Sequence, residues 1–391
     1  MSGKDDSARV LLRAVRLITP DETLAPGSVL VAGRTIEAVG GALPALPDAE
    51  IVDLPGLTLV PGFVDVHVHG GGGFSLATSD PTEIRSYSTW APQRGVTSFL
   101  AGIVAPTPAE AVPLIEAALA AETTRAELLG LNVEGPFVNA ARRGALPPSW
   151  AAEPDEEVLD QLLEAASGRL RLMTVAPEAP GALAIIRKTV SAGVRVSIGH
   201  TDAGYDDALR GFQAGASHVT HVFNAMRSFH QRDPGVGGAA LDSPDVTIEV
   251  IADGVHLHPA TVRILLRSFG AARVALITDG VTPAGLGEGV FRLGGQEARL
   301  DGGRVTLPDG TIAGSAATMD TVMANVVRWG AATLEDAVRM ASTIPALVAG
   351  AAGRKGRIAP GYDADIVALT DDLRVEAVWT RGRRAIGVPG A

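Results

Sequence analysis

The sequence predicts an α/β protein: a TIM-like (β/α)8 barrel over residues 59–351, with a small β-sandwich domain built from both chain ends, 1–58 and 352–391. Three observations carry that prediction. Eight apolar, strand-like runs alternate with helix-like stretches through the middle of the chain. Short β-rich runs broken by Pro and Gly occupy both ends. Histidines and carboxylates stand just behind the apolar runs, where a barrel collects its functional groups.

At the N-terminal end, 10–17, 28–31 and 35–39 read as strands separated by Pro20-Asp21, Pro26-Gly27 and Gly40-Gly41. The texture returns at 364–369 and 377–380, around Asp371-Asp372 and Arg381-Gly382. Neither set can form a large core alone, so the two ends are expected to pair. The central runs are 60–68, 97–104, 128–133, 170–175, 194–198, 217–222, 246–251 and 274–277, with helix-like segments such as 108–127 and 155–167 between them. Near-continuous apolar strands alternating with helices imply parallel strands and crossover connections. Eight of them favour a closed barrel, with an open doubly wound sheet as the alternative.

Apolar residues make up 46% of the chain and aromatics only 4%, so the core must be built from Ala, Val, Leu and Ile. A net charge of −11 without a basic stripe argues against a nucleic-acid partner, and an anionic ligand would need a local cation cluster. With no cysteine, disulfides and thiolate metal sites are excluded. The charged opening Met-Ser-Gly-Lys-Asp-Asp-Ser leads into no signal-like segment, and no apolar run is long enough to span a bilayer. A soluble cytoplasmic protein with no membrane partner is expected.

The polar residues then fall into place along the barrel. His67 and His69 alternate with Val64, Val66 and Val68, and two residues apart on a strand they point the same way, toward one metal ion. The alternative is one histidine packed in the core and one hydrogen-bonded at a strand end. Glu134 follows the third run, His200 the fifth, His221 ends the sixth, Asp253 and His256 follow the seventh, and Asp279 follows the eighth. Five of the eight histidines occupy such positions, and His218 and His230 flank the sixth run. Imidazole and carboxylate suit Zn²⁺ or Fe²⁺. Such an ion polarises a carbonyl and brings the pKa of a water toward ~7. Asp279 beside that water can take its proton and deliver it to a leaving group. A helix N-cap ahead of Gly280 is its alternative role.

Val-Glu-Gly-Pro-Phe (133–137), Gly-His-Thr (199–201), His-Val-Phe-Asn-Ala-Met (221–226), Ala-Asp-Gly-Val-His (252–256) and Thr-Asp-Gly (278–280) resemble the amidohydrolase superfamily over nearly the whole chain. Within it they are similar to the branch that deacetylates phosphorylated N-acetyl amino sugars, for which the 221–226 run followed by Arg232-Asp-Pro-Gly is distinctive. Many members bridge two metals with a carboxylated lysine, but none of Lys4, Lys188 and Lys355 ends a barrel strand. The resemblance puts Glu134 in that role. It implies one divalent metal held by Glu134, His200 and His221, and a second held by His67, His69 and Asp279. It further implies a phosphate held by Arg232, His256 and the backbone at Asn224 and Ala225, with some contacts crossing a homodimer interface. Arg227, His230 and Arg232 supply the cations such a group needs, the alternative being a solvated basic loop.

One position departs from the family. Where a polar residue, often His, helps polarise the substrate amide, this chain has Leu146 in Gly144-Ala145-Leu146-Pro147. Leucine donates no hydrogen bond. Losing such a donor costs ~10²–10³ in rate unless another group replaces it. The implied activity is metal-dependent hydrolysis of the acetamide of N-acetyl-D-glucosamine 6-phosphate. Leu146 keeps open another N-acyl substrate, such as a different N-acetylhexosamine 6-phosphate or an acyl amino acid. A non-catalytic barrel scaffold is the remote alternative.

Overall fold

The computed structural model describes residues 9–387, and Lys4 lies outside the described residues. Strands β1 (Arg9–Ile18), β2 (Gly27–Ala32) and β3 (Thr35–Gly40) run antiparallel in sequence, and β1 also pairs in parallel with a long strand, β4 (Ala49–Pro61). That last strand was not among those expected. Pro55-Gly56 breaks its pattern in the sequence, and the structure absorbs the pair as an irregularity in register opposite Ala14–Arg16.

Eight parallel strands follow, each neighbouring the next in chain order: β5 (Phe63–Asp65), β6 (Val96–Ile103), β7 (Glu127–Val133), β8 (Leu170–Val175), β9 (Arg195–Ile198), β10 (His218–Val219), β11 (Thr247–Ile251) and β12 (Val274–Ile277). The intervening helices begin where their caps say they should. Pro81–Trp90 starts behind Asp80, which accepts from Thr82 N at 2.8 Å, and Glu156–Ala166 starts behind Asp155, which accepts from Glu157 N at 2.7 Å. Val64, Leu100, Leu129, Leu172, Ile251 and Ile277 pack together with Ile344 and Val348, filling the barrel and plugging one end with the helix Thr343–Val348. The barrel closes beyond the assigned strands: Asp279 N donates to His67 O at 2.9 Å, and His69 N donates to Gly280 O at 2.7 Å.

Behind β12 the chain inserts a four-stranded antiparallel sheet, β13 (Gly289–Leu293), β14 (Gln296–Asp301), β15 (Arg304–Thr306) and β16 (Ile312–Ser315), which the sequence reading did not anticipate. Its first two hairpins turn on Gly294-Gly295 and Gly302-Gly303, all four with positive φ, as two-residue loops of this kind require. One face, Ala298, Leu300, Val305 and Ala313, is buried against Val281 just past β12. After three further helices, β17 (Ile366–Leu369) pairs antiparallel with β4, followed by β18 (Val375–Thr380) and β19 (Arg383–Ile386). Both chain ends therefore share one mixed sheet, as expected, with Leu12, Val29, Leu59, Ile366 and Trp379 in its core. Among the described residues no helix is long and apolar enough to cross a membrane.

Barrel and end sheet are joined by a buried charge cluster. Lys355 is 2% exposed, and its Nζ lies 2.6 Å from Asp365, 2.8 Å from Glu127 and 2.9 Å from Asp363. Glu127 opens β7 and also pairs with Arg354 at 2.7 Å. Burial alone would raise the Glu127 pKa, but Arg354 and Lys355 outweigh it and hold the carboxyl at about 2. A depressed folded pKa contributes stability that is fully present above the ordinary carboxyl value, near 4.5, and is lost as pH falls toward 2. Glu127→Gln should therefore lower stability at pH 7 by about 3 kcal/mol, at ~1.4 kcal/mol per pKa unit. It should also flatten the acid limb between these two pH values. Thermal unfolding as a function of pH checks this, and an acid limb identical to that of the wild type would refute it.

Candidate metal centre and active site

Each candidate ligand is delivered by a strand end that departs from regular geometry. β5 stops at Asp65, so His67 and His69 lie past the strand rather than on it. Their convergence comes from barrel closure and not from strand pleat. Asp65 reinforces that closure. Fully buried, it accepts from Thr278 Oγ1 at 2.6 Å and from the amides of Thr278 and His67 at 3.4 Å. Burial pushes its pKa up to about 7 against the pull of those bonds. The sixth strand, expected over 217–222, pairs only at His218–Val219. The chain turns there through positive φ at His221, Phe223 and Ala225. With His200 and Asp279 these make five of the eight non-glycine positive-φ residues among the described residues. Such backbone costs of order 1–3 kcal/mol per residue and persists where the surroundings over-determine it.

The side chains meet around Glu134. Its Oε1 lies 2.9 Å from His200 Nε2, 3.0 Å from His221 Nε2 and 3.3 Å from His67 Nε2, while its Oε2 lies 3.1 Å from His69 Nε2. His200 and His221 place their Nε2 atoms 3.1 Å apart. Asp279 Oδ1 stands 3.5 Å from His69 and 3.7 Å from His67. Ligand atoms tetrahedrally disposed about an ion at ~2.1 Å are about 3.4 Å apart, so these spacings suit a divalent cation. Two groups of three have ligand atoms mutually within 4.8 Å: His67, His69 and Asp279, and His67, Glu134 and His221. Because the two oxygens of Glu134 face different imidazoles, one carboxylate can serve two cations.

Two further observations support the fit. His67 Nε2 is a buried nitrogen with no hydrogen-bond partner, which a cation would satisfy. His200 Nδ1 lies 2.9 Å from the Arg142 carbonyl, to which it can only donate, leaving the Nε2 lone pair for a metal. Burial would raise the Glu134 pKa, but the facing imidazoles of His67, His200 and His221 hold it well below the usual carboxylate range.

The centre adjoins a cavity of about 390 Å³, whose lining includes Asn224, Ala225 and His256 together with Leu146, Leu293, Leu307 and Ile312. His256 Nδ1 is 2.7 Å from Asp253, whose carboxylate also accepts from Ser315 Oγ at 2.9 Å. Burial works against the charged imidazole, but Asp253 outweighs it and raises the His256 pKa. Arg232 is exposed on the following loop and does not line the cavity. Arg227, His230 and Arg232 share one loop, where His230 Nδ1 accepts from Arg232 N at 3.2 Å, but none of the three lines the cavity. Arg227 is instead paired with Asp202 at 2.9 Å and Asp233 at 2.8 Å, and His230 is exposed. Lys188 pairs with Glu156 and Asp160, and Lys355 lies at the sheet junction, so neither reaches the centre.

Sequence reasoning missed Glu249 and Asp65, both buried beneath the ligands. The signal was present: a carboxylate inside an otherwise apolar run, Val246-Thr-Ile-Glu249-Val-Ile251, must be buried with partners. The wall formed by Leu293, Leu307 and Ile312 was missed with its sheet, although the paired glycines marked the turns.

Comparison with known proteins extends this reading to the whole chain. Residues 58–385 match the amidohydrolase family. N-acetylglucosamine-6-phosphate deacetylase of Bacillus subtilis (strain 168) is 33% identical over 96% of this chain and 97% of its own length. N-acetylgalactosamine-6-phosphate deacetylase of Escherichia coli O157:H7 is 34% identical over 96% and 99%. A mutant N-acetyl-D-glucosamine-6-phosphate deacetylase from Mycobacterium smegmatis, solved with N-acetyl-D-glucosamine-6-phosphate, superposes with a TM-score of 0.91 at 35% identity, covering 97% of this chain and all of the other.

The centre has little slack at Gly102. A Cβ there would stand 2.5 Å from Val68 O and 2.6 Å from His69 Nδ1. Gly102→Ala should turn the His69 ring off the cluster and reduce divalent metal bound per chain, with far-UV circular dichroism unchanged. Metal analysis after dialysis is the check, and undiminished metal would show that His69 is not held by this contact.

Proposed function

The chain belongs to the amidohydrolase family, and we propose that it is a metal-dependent amide hydrolase removing the acetyl group from N-acetyl-D-glucosamine 6-phosphate to give D-glucosamine 6-phosphate and acetate. The observation that carries this reading is the convergence of four imidazole Nε2 atoms with the carboxylates of Glu134 and Asp279 beside one cavity. Full-length similarity to deacetylases of phosphorylated amino sugars supports the substrate class.

Glu134, His200 and His221 would hold one Zn²⁺ or Fe²⁺, and His67, His69 and Asp279 a second. A cation there polarises the acetamide carbonyl and acidifies a water. Asp279 takes the proton from the attacking water as the new C–O bond forms. It returns that proton to the amine nitrogen as the C–N bond breaks. Leu146 and its apolar neighbours exclude competing water and offer no hydrogen bond. His256, whose charged form Asp253 favours, receives the phosphate together with the backbone at Asn224 and Ala225. We infer a homodimer in which Arg232 reaches the phosphate bound in the neighbouring subunit's cavity. Its loop also exposes Phe229 (54%), an apolar surface suited to a partner.

A second reading is favoured by one observation: a relative of equal similarity is named for the galactosamine epimer. Leu146 bears on the same question, because the wall it forms selects by shape alone.

Asp279→Asn should lower kcat by ~10³ or more, near the upper part of the range for general acid–base groups. Metal bound at Glu134, His200 and His221 should remain. Near-wild-type turnover in an acetate-release assay would remove Asp279 from the mechanism. Across N-acetyl-D-glucosamine 6-phosphate, its galactosamine epimer and unphosphorylated N-acetylglucosamine, the first should give the highest kcat/KM. Arg232→Ala should raise KM about tenfold for the two phosphorylated sugars only. An equal effect on the unphosphorylated sugar would eliminate the phosphate role, and a preference for the epimer would reassign the substrate.

A further inference from the structure

Beneath the centre lies a polar network that the reaction does not use. Glu249 and His67 are both fully buried inside the barrel. Glu249 Oε2 lies 2.8 Å from His67 Nδ1 and accepts the backbone N–H of His221 at 3.0 Å. Its Oε1 lies 3.2 Å from His218 Nε2, and His218 Nδ1 lies 2.6 Å from Thr247 Oγ1. A carboxylate only accepts, so His67 and His218 each present a proton to it. That places a proton on Nδ1 and makes Nε2, 3.3 Å from Glu134 Oε1, the nitrogen that can take a cation in place of its own proton. On the other side, the same carboxylate oxygen fixes the backbone at His221, a residue held at positive φ.

We propose that Glu249 is the positioning residue that makes His67 a metal ligand: by holding its Nδ1 proton and the His221 amide on one oxygen, it sets the second cation site of His67, His69 and Asp279 beside the first. This rests on the metal-centre reading above and extends it to a residue that touches neither cation nor substrate. A buried carboxylate is costly unless its lone pairs are satisfied. Here every neighbour that satisfies Glu249 is a candidate ligand residue or, in His218, a residue that supports Glu249 itself. Without Glu249, His67 has no acceptor to fix its tautomer, and a proton on Nε2 would oppose a cation. Outer partners of this kind typically change metal affinity 10–100-fold.

The full-length protein is stripped with chelator and titrated with Co²⁺, following bound metal per chain and the visible absorption of the site. Wild type should take two ions. Glu249→Gln should weaken binding of the second ion 10–100-fold and of the first, reached only through the His221 backbone, by less, with a changed Co²⁺ spectrum and native circular dichroism. In a His67→Ala background, adding Glu249→Gln should weaken the second ion no further, because the two act as one unit. Two ions at wild-type affinity in Glu249→Gln, additive losses in the double variant, or a single ion in wild type would each overturn the proposal. Should Glu249→Gln not fold, Glu249→Asp draws the carboxylate back from His67, and the same loss of the second ion is expected. Retention of that ion would overturn the proposal. The readout needs no substrate. A protein that binds two ions but releases no acetate fails the proposed function alone, and one that releases acetate while Glu249→Gln keeps both ions fails this inference alone.

Discussion

The barrel closes through the residues that carry its chemistry. The last strand joins the first by bonds from Asp279 N to His67 O and from His69 N to Gly280 O, while Asp65 clamps Thr278 underneath. Strand order around the other seven joints is fixed by apolar runs that any parallel barrel would use. This joint is different, because its pairing residues are short, polar and turned inward. Ligand geometry and fold closure are thus one event: if the ends do not meet, His67, His69 and Asp279 do not form a group. The arrangement also explains why strained backbone is tolerated at Asp279, since bonds on both sides leave it no alternative conformation.

A second constraint follows from charge. Asp65, Glu134 and Glu249 are buried within the barrel, and Asp279 adjoins them. Buried carboxylates are stable only with donors or cations nearby. The protein resolves each differently. Asp65 takes hydroxyl and amide donors and is pushed toward its neutral form. Glu249 takes two imidazoles and an amide and is held ionised, their attraction exceeding the cost of burial. Glu134 faces imidazole nitrogens alone. Its charge is compensated by nothing fixed in the backbone, which is the electrostatic environment that receives a cation.

Much of this was legible in the sequence, and the reasons differ from residue to residue. The runs 170–175 and 274–277 coincide with strands because both are mostly apolar, with only Arg171 and Thr174 interrupting the first, and both are flanked by clear breaks. Glu134, His200, His221, His256 and Asp279 were legible because polar residues behind such runs must end at one rim. The pair His67 and His69 was identified correctly as neighbours but for an insufficient reason: alternation implied a strand, whereas long-range bonds to Gly280 and Asp279 align them. Such bonds join residues over two hundred positions apart and leave no local pattern. Arg227 illustrates the converse. Its composition and position suggested a free cation, and only the folded chain brings Asp202 and Asp233 to neutralise it.

The cavity walls carry the remaining argument. Within one chain the cavity lining includes His256, whose charged form Asp253 favours, and the apolar side chains of Leu146 and the inserted sheet. A phosphate monoester carries nearly two charges near neutral pH, more than one imidazole could compensate in a protein of net charge −11. Arg232 is exposed near Phe229 in sequence and does not line the cavity. On the proposed function, Arg232 of a neighbouring subunit would supply the further charge. The apolar wall would then set which acyl sugar fits, and the assembly would set that it must be phosphorylated.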